Sequence, residues 1–66
     1  MPNDIVGYQG YLLEVIPVEG GYQVEIRSTG EKPPLHPSRT MTFADGRAAV
    51  KEAMSLVNHA ALGLRG

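Results

Sequence analysis

Glu14 and Glu25 are the residues of this chain whose type and spacing come nearest to an acid–base pair. General acid–base chemistry requires two carboxyl groups whose surroundings push their pKa values apart. The alternating segments that carry these two would set them opposite one another on a strand face, with Arg27 on the diagonal. An open face does not separate pKa values, so a solvated pair beside Arg27 is expected and no catalytic role.

His36 and His59 lie in different kinds of segment, a proline-rich loop and a polar helix face. Neither has further ligands at metal spacing, and a metal site needs three or four converging donors. Without cysteine, thiolate sites and disulfides are excluded as well. Ser28, Ser38 and Ser55 lack the context of an activated nucleophile. No glycine stands between a strand and a helix in a phosphate-binding pattern; Gly46 opens a helix, but Asp45 beside it puts an anion at that dipole. No catalytic residue, metal or cofactor is therefore expected. Arg47 and Lys51, with Arg65 by projection, share a helix edge that could meet an anionic partner.

The elements that hold these residues follow from a change of hydrophobic period. Residues 11–28 alternate apolar and polar, as strands do, whereas residues 45–62 repeat at three and four, as an amphipathic helix does. Strand one is expected from Tyr8 to Pro17 and strand two from Gly21 to Ser28. A two-residue Glu19-Gly20 loop reverses the chain between them. Val15 then faces Val24, Leu13 faces Ile26 and Tyr11 faces Ser28. On the other face Leu12 meets Arg27, Glu14 meets Glu25 and Ile16 meets Gln23.

Residues 1–7 read as a loose arm and residues 29–39 as a proline-rich loop. Thr40-Met41-Thr42-Phe43 alternates as a short third strand with Met41 and Phe43 inward. Asp45 caps the helix and Gly63 ends it. Val50, Ala53, Met54, Leu56, Val57, Ala60, Ala61 and Leu64 occupy one helical arc of about 160°. The expected fold is α+β: a three-stranded antiparallel meander with one C-terminal helix on one face, ββ(β)α, in a single domain spanning residues 1–66.

Sixty-six residues leave little room for a core, so a second copy of the chain is a natural support. Leu12 and Ile16 make the outer strand face half apolar, and Leu56 sits at the rim of the helix arc. A homodimer is expected to use one of these two surfaces, the strand face with Leu12 and Ile16 or the helix rim with Leu56. The net charge of −1 attracts neither nucleic acid nor membrane as a whole. Its halves differ: Asp4, Glu14, Glu19, Glu25 and Glu31 outweigh Arg27 and Lys32, while Arg39, Arg47, Lys51 and Arg65 outweigh Asp45 and Glu52. No apolar run reaches the ~20 residues of a membrane span, and residues 1–4 do not resemble a signal peptide. A cytoplasmic location is expected.

The run from Tyr11 to Ile26, YLLEVIPVEGGYQVEI, resembles the first hairpin of HicB-like antitoxin domains. Thr42-Phe43-Ala44-Asp45 and the alanine-rich helix after it are similar in placement to that family's third strand and helix. The family's Pro-Asp-Leu-Pro-Gly-Cys-like turn is replaced here by Thr29-Gly30-Glu31-Lys32-Pro33-Pro34 and a longer loop. The resemblance implies the ββ(β)α fold and binding to a protein, such as a toxin to be neutralised, and assigns no functional residue. The expected function is thus a non-enzymatic protein-interaction module. The alternatives are that toxin-neutralising role, or nucleic-acid binding through the Arg47–Lys51 edge.

Overall fold

The computed structural model describes residues 4–30 and 32–65, the last five of these through their backbone alone. Strands β1 (Ile5–Tyr8), β2 (Tyr11–Val18) and β3 (Gly21–Ser28) precede helix α1 (Gly46–Arg65). The strands form one antiparallel sheet in the order β1-β2-β3. The α+β class and the meander-plus-helix arrangement are as expected from the pattern.

The β2–β3 register is also the expected one, from Val18↔Gly21 through Val15↔Val24 and Leu13↔Ile26 to Tyr11↔Ser28. Strand one, however, is two strands. Gln9 and Gly10 both take positive φ, 49° and 86°, which is the type I′ geometry that folds one strand back on the next. Residues 5–7, expected as part of a loose arm, are therefore the greater part of β1; residues 1–3 lie outside the described residues.

The segment at 40–43 corrects a second expectation. Together with Arg39 it forms isolated bridges beside β3, Glu25↔Arg39 and Tyr22↔Phe43, and no continuous strand. Three steps along β3 answer four along this segment, so one extra residue is accommodated as a bulge. The bulge resets the alternation. Thr40 is buried, Phe43 packs against the core as expected, and Met41 points outward at 74% exposure.

Thr40 repairs the ladder that the bulge interrupts. Its amide donates to the Val24 carbonyl at 3.0 Å. In return the Val24 amide donates to Thr40 Oγ1, also at 3.0 Å, and that hydroxyl donates to the Met41 carbonyl. Thr40→Val keeps the shape and leaves the buried Val24 amide without an acceptor, at a cost of about 2 kcal/mol. Urea titration should show that loss; a midpoint equal to the wild type would refute the role given to the hydroxyl.

The core comprises Tyr11, Leu13, Val24, Ile26, Leu35, Ala49, Ala53 and Val57. Four come from the helix-facing positions of β2 and β3, three from one stripe of α1, and Leu35 from the proline loop. That loop is consequently a wall of the core, held by Tyr11 Oη donating to the Pro33 carbonyl at 2.9 Å and Thr29 Oγ1 donating to the Gly10 carbonyl at 2.8 Å. The His36-Pro37 peptide within it is cis. Asp45 caps the helix as expected, its Oδ1 accepting from the Arg47 amide at 3.1 Å. Gly63 does not end the helix, which runs on to Arg65. Of the expected arc, Ala61 and Leu64 lie outside the described side chains.

Candidate interaction surface

Helix α1 covers β2 and β3 on one side of the sheet only. The other side, alternating with the core positions, carries Ile5 from β1, Leu12, Glu14 and Ile16 from β2, and Gln23, Glu25 and Arg27 from β3. At its centre Arg27 holds both carboxylates, 3.0 Å from Glu14 Oε1 and 3.1 Å from Glu25 Oε1. Arg39 approaches Glu25 Oε2 at 3.5 Å from the bulged segment. The diagonal relief of the two glutamates by Arg27 is as the register required. Arg39 was not expected there, because the sequence pattern runs the proline-rich loop through Arg39 and starts the strand beside β3 only at Thr40. The face thus balances two acids with two bases, where only Arg27 had been expected to oppose the glutamates.

Around this network the surface is apolar. Leu12 is 40% exposed and Ile5 is 59% exposed, and Ile16 is half-buried beside them. Leu12 and Ile16 share this face as expected. Leu56 does not; it lies on the helix side, half-buried against the core. There it lines a small cleft of about 220 Å³ with Leu35, His36, Pro37, His59 and Ala60. The two histidines, distant in sequence, meet at this one cleft because the proline loop turns back onto the end of the helix. Among the described residues no group of three or more histidines, cysteines or carboxylates converges as metal ligands would.

Arg47 and Lys51 line a wider groove of about 830 Å³ between the start of α1 and the β1–β2 edge. Val6, Val15, Val50 and Met54 form its apolar floor, and Asp4 and Asp45 stand at the same groove. The expected basic edge is therefore mixed in charge. The groove lies on the β1 side because α1 packs mainly on β3 and β2. At the other end Asn58 ties the helix to the first turn, its Oδ1 accepting from Tyr8 Oη at 3.1 Å and from Gln9 Nε2 at 2.9 Å.

Ile5, Val6, Arg39 and Asn58 are the surface residues that sequence reasoning passed over. Only the first two carried a signal: Tyr8-Gln9-Gly10-Tyr11 has a glycine at the second turn position between alternating segments. Among the described residues no helix is long and apolar enough to cross a membrane. No family model, curated protein or solved structure matches this chain.

Proposed function

We propose that this chain is a small protein-interaction module that acts as a homodimer and performs no chemistry of its own. The observation that carries this reading is the helix-free sheet face, where Leu12 and Ile5 stand exposed beside Ile16. Apolar side chains grouped on one side of so small a domain favour a protein neighbour. The carboxylates on the same face are engaged by Arg27, which suits a positioning network better than proton transfer. Asp4 and Asp45 beside Arg47 and Lys51 argue against a phosphate backbone in the groove. We take the compartment to be the cytoplasm, where a cysteine-free chain needs no oxidant.

Sedimentation at micromolar concentration tests the reading. The expected mass is twice the 7.1 kDa of one chain. Leu12→Glu should return the sample to single chains while far-UV circular dichroism stays unchanged. A wild type that sediments as one chain overturns the proposal.

A further inference from the structure

Strand β1 ends the sheet, and its backbone shows which groups face outward. The Val15 amide donates to the Asp4 carbonyl at 2.9 Å. Asp4–Val15 is thus a hydrogen-bonded pair, and alternation makes Val6–Leu13 and Tyr8–Tyr11 the next two. The amides and carbonyls of Ile5 and Gly7 therefore point away from β2, with no partner strand among the described residues. No proline, lysine or other charged residue interrupts Ile5–Tyr8, the usual protections of an open edge. The opposite edge is treated differently: the segment from Ser38 to Phe43 bonds along β3 and covers it.

We infer that β1 pairs antiparallel with β1 of a second copy, about a two-fold axis at Val6. This rests on the homodimer reading and specifies its contact. In that register Ile5 faces Gly7 of the second copy and Gly7 faces its Ile5. All outward groups of the two residues are then matched, because each outward amide meets an outward carbonyl.

The side chains agree with the register on both faces. On the helix side the row across the junction reads Ile26, Leu13, Val6, then Val6, Leu13, Ile26 of the second copy, apolar throughout. On the open side it reads Arg27, Leu12, Gly7, then Ile5, Glu14, Glu25 of the second copy. A side chain built on Gly7 would meet nothing within 4 Å. That gap lets the incoming isoleucine lie over Gly7 and reach Leu12. Ile5, Val6 and Leu12, three exposed large apolar residues at this edge, are covered by the one contact. Asp4 falls opposite Tyr8 of the second copy, so no like charges meet.

A chain without cysteine makes the test direct. Val6→Cys places two thiols at a close, non-hydrogen-bonded pair, with Cα atoms about 4.5 Å apart, within disulfide range. Ile5→Cys places its two thiols diagonally, about 7–8 Å apart. Under mild oxidation at micromolar concentration the first should cross-link at least about tenfold faster than the second. Separately, Ile5→Pro removes an outward amide without touching the β1–β2 ladder. It should raise the dimer dissociation constant about tenfold or more. If the wild type sediments as a dimer but Ile5→Pro dimerises equally well, or Val6→Cys links no faster than Ile5→Cys, edge pairing is overturned and the dimer stands on another face. If the wild type is a single chain, both readings fall.

Discussion

Gly21→Ala should be among the most damaging single-atom changes available to this protein, costing about 3 kcal/mol or more. Gly21 has φ of +151°, and a Cβ there would stand 2.1 Å from the Phe43 carbonyl oxygen and 2.8 Å from its carbon. Both are backbone atoms, and Ala44 Cα follows at 3.2 Å, so no flexible side chain can yield. The segment must move, and with it the paired bonds between Tyr22 and Phe43, at 2.7 and 2.8 Å. Asp45, the helix cap, is two residues further on. For a domain of this size the melting temperature should fall by roughly 15 °C. A shift under about 3 °C would show that the Phe43 segment is not pressed against β3 in solution.

Leu13→Ala should cost a similar amount for a different reason. Leu13 is fully buried at the middle strand, flanked by Val6 on β1 and Ile26 on β3. Truncating it removes apolar contact and leaves a cavity that a sheet centre cannot collapse around, about 3 kcal/mol in comparable cases. A domain this small has a total stability of roughly 3–10 kcal/mol. The variant should therefore be partly unfolded at 37 °C, with its urea midpoint falling and its slope unchanged. A loss under about 1 kcal/mol would place the core elsewhere than between β2 and α1.

The β2–β3 hairpin was legible because its two segments alternate cleanly and the Glu19-Gly20 turn admits only one register that keeps Leu13, Val15, Val24 and Ile26 together. The helix was legible for the same reason at a longer period. β1 was not. Gln9 is a residue that seldom takes positive φ, so Gln9-Gly10 did not read as a turn. The turn moves the inward set from Val6 and Tyr8 to Tyr11 and Leu13, and the four residues of β1 are too few to show a period of their own. Met41 was misplaced because a bulge also changes phase, without leaving a mark in residue type. Of the surface, Leu12 and Ile16 followed from register. The meeting of His36 with His59, and of Arg39 with Glu25, depended on how the proline loop folds back, which no periodicity encodes.

The bulged cover beside β3 has a consequence best put in the language of polymers. A sheet with two bare edges is a bifunctional monomer, and its pairing propagates into filaments. Here one edge is occupied by a backbone whose own outer side is broken by the extra residue near Thr40 and by Pro37, so it offers no regular template. The molecule is monofunctional. Whatever strand adds at β1, addition of that kind happens once and does not propagate.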